Sequence, residues 1–573
     1  MTKKLLKVYS GRTFQDKKGM DSPGLELKSW SFIILRLWRL YMIMEFIGAD
    51  HEVTGSCHYI KCADTKLLVD YGMEQGINVF ENVPLPVPPS EIDLVLLTHA
   101  HIDHAGLIPL LYARGFRGRI ITTFATKDLC DIMLRDSAHI QEAEAQWKNR
   151  KAMRAGEEAV EPLYTVQDAI DCMKLFEGLD YKQKKVINDN IAVRFIDAGH
   201  LLGSASIEIW LKEGDTERKI VFSGDIGNYN KPLIRNPEYI EEADYVLMES
   251  TYGDRYHKKG IDHARELAAI IQKTLDRGGN VVIPAFAVGR TQELLYFIRR
   301  IKEERLVNGH EGFKVYVDSP LAVEAINVFK KNIINCFDDE TKALVEAGIN
   351  PIAFEGLKIS VTPQESQNIN FEEAPKVIIS ASGMCDAGRI RHHLKHNLWR
   401  KESSVVFAGY QSVGTLGRTL QDGGDSVKLF GDKISVNASI ETLESISSHA
   451  DREGLIRWIK AFKNLKQVFL VHGEDLVCRA FAQYLAKELG ILVTAPFSGS
   501  IYDLAQGVWL KETQGIPVSK EVLSRKRAQG VYLRLWSAGE RLLSVIKENK
   551  DGANKDLAKF ADQINSLCDK WTR

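Results

Sequence analysis

The 573-residue chain carries 75 lysines and arginines against 76 acidic residues, a formal net charge of -1, with 45% hydrophobic and 26% charged residues. That balance excludes a globally basic nucleic-acid binder, so any attraction for a polyanion has to be local. The length allows about three or four domain-sized units. Eight cysteines (57, 62, 130, 172, 336, 385, 478 and 568) without a C-x-x-C pair point to reduced thiols in a soluble cytoplasmic protein rather than a disulfide frame.

In chain order, residues 1–43 read as an N-terminal extension with a basic start, a turn at Pro23-Gly24 and the apolar run Ser31 to Leu35. Arg36 and Arg39 leave that run too short and too charged for a membrane helix, and no small-residue cleavage site follows it. Trp38-Arg39 fits the codons UGG-AGG, purine-rich like a bacterial ribosome-binding site, so translation is expected to begin at Met42 or Met44. Leu68-Val69 then leads into Asp70. Leu94 to Leu97 reads as a buried strand, and directly behind it Thr98-His99-Ala100-His101-Ile102-Asp103-His104 packs three imidazoles and a carboxylate into six residues. Imidazole suits zinc, and a carboxylate beside a histidine can hold a second ion. His99 and His101, on alternate residues, can face one ion; Asp103 and His104, past a turn, can face its neighbour.

Four later strands end the same way. Ile191 to Ile196 leads to Asp197-Ala198-Gly199-His200, Lys219 to Phe222 to Ser223-Gly224-Asp225, Tyr245 to Met248 to Glu249, and Gln467 to Val471 to His472-Gly473-Glu474. Ligands gather beyond the carboxyl ends of strands in α/β sheets, so the repetition predicts one shared crevice. Between residues 256 and 430, strands such as Val281 to Ile283 and Val377 to Ile379 alternate with helical stretches, which predicts an α/β unit with a parallel sheet. Three glycine-bearing turns lie there: Pro284 to Arg290, Ser380 to Met384 and Gly409 to Arg418. The second precedes a basic stretch, Ala387 to Lys401, in which Arg389, Arg391, Lys395, Arg400 and Lys401 occur without an acid. From about 506 onward, apolar residues at helical spacing over Val522 to Glu548 and Asn554 to Trp571, split by Lys550-Asp551-Gly552, predict a helical hairpin.

Taken together, these motifs resemble the β-CASP nucleases of the metallo-β-lactamase superfamily. The likeness spans roughly residues 44 to 505 and is greatest to the branch of the cleavage and polyadenylation specificity factor endonuclease with its bacterial and archaeal relatives. Glu52-Val53-Thr54-Gly55-Ser56-Cys57 resembles the family's opening turn. Asp70 resembles the first superfamily motif, His99/His101/Asp103/His104 the second, His200 the third and Asp225 the fourth. Glu249 in Glu249-Ser250-Thr251-Tyr252-Gly253, His449 in Ser448-His449-Ala450-Asp451 and His472 in Val471-His472-Gly473-Glu474 resemble the three β-CASP motifs.

The resemblance implies an α/β fold: an αββα core over 44–255 and 431–505, interrupted by a β-CASP domain over 256–430, with a C-terminal helical extension over 506–573. It implies two zinc ions, one held by His99, His101 and His200, the other by Asp103, His104 and His472, with Asp225 bridging. Such a pair can share a water, lower its pKa to give a bridging hydroxide, and clamp both oxygens of an in-line displacement. His449 is then the expected general acid, Glu249 its orienting carboxylate and Asp70 a support for a metal-bound histidine. Arg290, Ser382, Gly383, Arg389, Arg391, Gly414, Thr415 and Arg418 are the expected contacts to an RNA backbone.

The function so implied is hydrolysis of RNA, single-stranded for preference, leaving a 5′-phosphate and a 3′-hydroxyl, by endonucleolytic or 5′-3′ exonucleolytic attack. The chain would act away from membranes, with a homodimer as one expected state. Three other readings stay open at this level: a DNA-processing β-CASP nuclease, a non-nuclease hydrolase of the same fold, and a scaffold subunit that has lost its metals. The intact ligand set speaks against the last.

Overall fold

The computed structural model describes residues 42–518, apart from 77–78, 156–158, 410, 412–413 and 444–445, and most of 538–571. Residues 1–41, most of Val522 to Glu548, and Tyr410, Ser412 and Val413 of the third glycine turn lie outside the described residues.

Two sheets stack face to face. The eight-stranded sheet runs, edge to edge, Val508–Lys511, Ile501–Asp503, Met42–Gly48, Cys57–Cys62, Thr65–Val69, Leu94–Leu96, Arg119–Thr123 and Phe176–Leu179. The seven-stranded sheet runs Leu492–Thr494, Gln467–Val471, Tyr245–Glu249, Thr216–Phe222, Ala205–Glu213, Ile191–Asp197 and Lys185–Asn188. Side chains alternate between faces along a strand. Leu94 and Leu96 therefore join Phe46, Phe195, Phe222 and Phe469 in the layer between the sheets, while Val95 and Leu97 face the helix Phe124–Ala155. On the far side of the second sheet, Val246, Met248, Val468 and Leu470 pack against the helices Arg452–Ile459 and Asp475–Leu489 through Trp458 and Phe481. Each such side chain contributes about 1.5–3 kcal/mol by leaving water. The result is the αββα sandwich that the motifs predicted.

The third sheet is entirely parallel, in the order Leu357–Ser360, Lys314–Asp318, Lys376–Ser380, Val281–Pro284, Ser404–Phe407, Ser439–Thr442. Both its faces are covered: Val281, Ile283, Val377 and Ile379 on one, Val282, Ile378, Val405 and Phe407 on the other. That explains why its central strands, Val281–Pro284, Lys376–Ser380 and Ser404–Phe407, read as nearly continuous apolar runs. Three strands fall across the expected limits. Met42–Gly48 starts ahead of 44, Ser439–Thr442 pairs with Ser404–Phe407 beyond 430, and Val508–Lys511 continues the first sheet beyond 505. The last two are edge strands of mixed composition, so hydrogen bonding, not an apolar pattern, defines them. Asn554–Trp571 is a helix as expected.

Thr65–Val69 is parallel to Leu94–Leu96, and Thr216–Phe222, Tyr245–Glu249 and Gln467–Val471 are mutually parallel. The segments that bear Asp70, His99 to His104, Asp225, Glu249 and His472 follow the carboxyl ends of these strands and meet at one rim of the sandwich.

Candidate metal centre

At this rim the chain leaves its strands abruptly. Asp70 and His472, each immediately after a strand, adopt left-handed backbone with φ of 60° and 52°, so the side chain swings out of the pleat. The loops then lie against one another closely enough to demand glycine. A Cβ on Gly72 would come within 1.6 Å of the Asp103 carbonyl oxygen, and one on Gly227 within 1.8 Å of that of Gly199. Backbone bonds complete the stitching: Tyr71 N–H donates to the His104 carbonyl at 2.8 Å, Gly227 N–H to that of Ala198 at 2.7 Å, and His472 N–H to that of Ala49 at 2.7 Å.

Two groups of ligand atoms result. His99 Nε2 and His200 Nε2 lie 3.0 and 3.1 Å from His101 Nδ1, and each lies 3.4 Å from Asp225 Oδ2. His104 Nε2 and His472 Nε2 lie 3.2 Å apart, at 3.2 and 3.6 Å from Asp225 Oδ1, with Asp103 Oδ2 3.7 Å from His472 Nε2. Asp225 thus presents one oxygen to each group, and its Oδ1 is buried without accepting a hydrogen bond. Bond lengths of about 2.0–2.1 Å in a tetrahedral zinc site place neighbouring ligand atoms about 3.3 Å apart. The spacings within the first group match that value and those within the second bracket it, so the residues present fit two such ions.

Surrounding hydrogen bonds select the ligand tautomers. Thr98 donates its N–H and hydroxyl to Asp70 at 2.8 and 2.9 Å and so accepts from His99 Nδ1 at 3.1 Å. His104 Nδ1 donates to Asp70 Oδ2 at 2.7 Å. Thr251 donates to the His472 carbonyl and accepts from His472 Nδ1, both at 3.1 Å. In all three the hydrogen bond keeps a proton on Nδ1, which leaves Nε2, facing the centre, as the atom that can bind an ion; without one, burial works against the charged form of His104 but Asp225 and Asp70 outweigh it. Burial is the largest influence keeping His99, His101 and His200 neutral; it takes His101 down to about 3, helped by His99. Burial also works against the charge on Asp225, yet the facing imidazoles, His472 and His104 foremost, hold it well below the usual carboxylate range.

His449 completes the set. Its Nδ1 lies 3.0 and 3.1 Å from the two oxygens of Glu249, and its Nε2 points inward, 3.7 Å from Asp225 Oδ2. Glu249 is itself fixed by the Ile226 N–H at 2.6 Å. Burial disfavours the imidazolium, but Glu249 and then Asp225 outweigh it and raise His449 to about 9 with the protein's own charges alone.

Above lies a cleft with His101, Asp103, His200, Asp225 and His449 in its floor and Phe286, Gly289, Arg290, Gly383, Gly409 and Gln411 on the wall from the parallel-sheet unit. Arg290 and Gly383 are thereby brought to the site, and Ser382 adjoins Gly383. Arg290 is buried, paired with Glu293 at 2.5 Å, and donates to the Ile446 carbonyl and to Ser448 Oγ in the loop ahead of His449. Arg389, Arg391, Gly414, Thr415 and Arg418 are outside the cleft lining. Arg389 pairs with Asp318 at 2.8 Å, Arg391 lies 4.8 Å above the Phe430 ring, and Arg418 pairs with Asp422 at 2.9 Å. Gly414, with φ of 85°, precedes Thr415, which caps the helix Leu416–Gln421. Ser382 donates to the Ala387 carbonyl at 3.3 Å.

Sequence reasoning missed three contributors. Thr98 and Thr251 orient imidazoles, and their adjacency to His99 and Glu249 was the available signal. Lys231 lines the cleft and donates to the His200 carbonyl at 2.9 Å; burial, partly offset by Glu293, takes its ammonium down to about 8. A single lysine in a loop carries no periodicity that could have marked it.

Comparison with known proteins agrees with this geometry. Residues 59–240 match a metallo-beta-lactamase superfamily domain, 291–420 the Beta-Casp domain, and 433–496 a Zn-dependent metallo-hydrolase RNA specificity domain. The chain is similar to "Ribonuclease TTHA0252" of Thermus thermophilus, 35% identical over 77% of this chain and 95% of that protein. It is similar also to an "RNase J-like protein" of Methanocaldococcus jannaschii, 31% identical over 80% and 99% of the two chains. "Transcription termination factor FttA" of the same organism is 30% identical over 78% of this chain and 69% of its own length. Such identity along nearly the whole of two of these relatives, on top of an αββα sandwich with a parallel-sheet insertion, makes the chain a member of the β-CASP ribonuclease family of metal-dependent hydrolases within the metallo-β-lactamase superfamily.

Proposed function

We propose that this chain hydrolyses RNA phosphodiester bonds with two zinc ions, one held by His99, His101 and His200, the other by Asp103, His104 and His472, and Asp225 joining them. The observation that carries this reading is the division of Asp225, with one oxygen on each ligand group at 3.2–3.6 Å. When bound, the ions supply a water of lowered pKa and offset the charge that builds on the phosphate.

The remaining work belongs to the protein. Glu249 fixes His449 through Nδ1, so that Nε2–H faces the floor of the cleft and can protonate the departing 3′-oxygen as the bond breaks. Products with a 5′-phosphate and a 3′-hydroxyl follow. Asp70 holds His104 in its ligand tautomer. Lys231 offers a cation to the backbone beside the scissile phosphate, and Arg290 positions the His449 loop from its buried pairings. Arg389, Arg391 and Arg418 act on RNA only beyond the cleft. The chain is organised as a core that opens with the strand from Met42 and resumes after Thr442 to include Val508–Lys511, around an inserted unit that begins near 256, with further extensions at either end. Its eight cysteines are free thiols, which suits the cytoplasm. Among the described residues, no helix is long and apolar enough to cross a membrane.

The test pairs elemental analysis of the purified chain with RNA and DNA of one sequence, labelled at either end. Two zinc ions per chain and selective cleavage of RNA are expected. A chain without metal, or one that cuts both polymers equally, refutes the reading.

A further inference from the structure

The helix Asn554–Trp571 lies beyond the last matched family domain, which ends at residue 496. No residue within it is buried; Leu567 is 55% and Trp571 72% exposed. Yet its sequence is ordered for contact. Leu557, Phe560, Ile564, Leu567 and Trp571 recur at intervals of three and four residues, the a and d positions of a heptad. Lys555, Lys559, Asp562, Asn565, Ser566 and Asp569 fill the outer positions. Ala561 and Cys568 widen the stripe on one side, and none of it is buried against the protein's own core. Most of a helix's stability in a protein comes from packing its amphipathic face, and this exposed face would gain it from a partner.

Charge indicates which partner. Along one flank of the seam lie Asp556, Gln563 and Lys570, seven residues apart. If two copies run antiparallel with Leu557 opposite Leu567 and Phe560 opposite Ile564, Gln563 meets its own counterpart. Asp556 then meets Lys570 of the second copy, twice by symmetry. A parallel pair brings the same flank against Ala561 and Cys568, where no opposite charge waits.

We propose that Asn554–Trp571 pairs antiparallel with the same helix of a second copy of this chain, making the protein a dimer through its C-terminal extension. Leu543 and Ile546, 59% and 40% exposed on the preceding turns, add apolar surface to the same extension.

Sedimentation of the full chain at micromolar concentration tests this. The expected mass is twice the 64.5 kDa of one chain. Ile564→Lys, with a charge in the middle of the seam, yields monomers. Asp556→Lys and Lys570→Asp each weaken the dimer about tenfold, since two attractions become two repulsions. An equimolar mixture of these two variants restores it, because every reversed site then faces an opposite charge. A monomeric wild-type chain, a dimer indifferent to Ile564→Lys, or a mixture no tighter than either variant alone overturns the proposal.

Discussion

Replacing Asp70 by asparagine separates the two ions. The Asp70 carboxylate accepts the Thr98 N–H at 2.8 Å, the Thr98 hydroxyl at 2.9 Å and His104 Nδ1 at 2.7 Å. Asparagine tolerates the φ of 60° at this position and keeps one oxygen, so backbone strain is small. Its amide group, however, can donate but not accept. With its oxygen on Thr98, the amide hydrogens face His104 Nδ1 and drive the imidazole proton to Nε2, the atom 3.2 Å from both Asp225 Oδ1 and His472 Nε2. The lone pair needed for a ligand is then occupied. Loss of such a supporting hydrogen bond costs about 10- to 100-fold in metal affinity. His99 and His200 make no bond to Asp70, so the other ion's affinity is expected to stay within about twofold. Competition with a chromophoric chelator should resolve one weakened and one unchanged class of zinc. Asp70→Ala strands all three of these buried donors and is expected to lower stability as well, by about 2–5 kcal/mol. Equal weakening of both classes by Asp70→Asn, or of neither, refutes the assignment of Asp70 to His104 and of His104 to the second ion.

Three further outcomes are expected. His449→Ala keeps zinc and loses about 10²- to 10⁴-fold in turnover, whereas Asp225→Ala loses both; equal metal loss measured by elemental analysis contradicts these roles. His449 stands at about 9, above the ordinary histidine value of 6.5, so its proton is present at neutral pH and is lost as pH rises through about 9. Two ions on Asp225 would weaken its second support and draw that value down, so the single-turnover rate should fall on the alkaline side at a pH below about 9, and Glu249→Gln, which removes the foremost charge favouring the proton, should move the fall lower still. Lys231→Met leaves zinc content unchanged and raises KM for RNA several-fold, an effect that weakens with salt because it is electrostatic. An unchanged KM in steady-state assays would exclude Lys231 from the substrate path.

The candidate residues were legible as a group in the sequence because several sit at the end of a short apolar strand, and a strand end fixes where a side chain can point. His99, Asp225, Glu249 and His472 follow strands whose ends meet at one rim, where the structure brings them together. The parallel unit was legible for a related reason: Val281 to Ile283 and Val377 to Ile379 are covered on both faces and read as continuous apolar runs. Edge strands such as Ser439–Thr442 were not, since backbone pairing alone defines them. Nor could sequence separate the arginines. Arg290 and Arg389 both follow glycine turns, yet each guanidinium is taken up by a carboxylate: Glu293, three residues on in the same helix, which helical spacing could have flagged, and Asp318, which lies 71 residues away and which no local pattern links to Arg389.

The order in which the centre assembles follows from where its ligands lie along the chain. His101 and His200 are 99 residues apart, His104 and His472 368. Closing loops of those lengths costs about 4 and 5 kcal/mol in chain entropy, a difference too small to separate the two groups by length alone. What separates them is how each loop closes. His200 belongs to the segment ahead of the inserted unit, whereas His472 arrives only when Gln467–Val471 docks beside Tyr245–Glu249 in a register of five residue pairs. That docking brings the two ends of the inserted parallel unit together, and it carries His472 to His104 in the same step. The first group of ligands can therefore form in a core whose insertion is still open, and the second cannot. An ion held by Asp103, His104 and His472, as proposed, would then favour the closed arrangement specifically, because binding free energy at a site absent from the open chain adds directly to the stability of the state that has it.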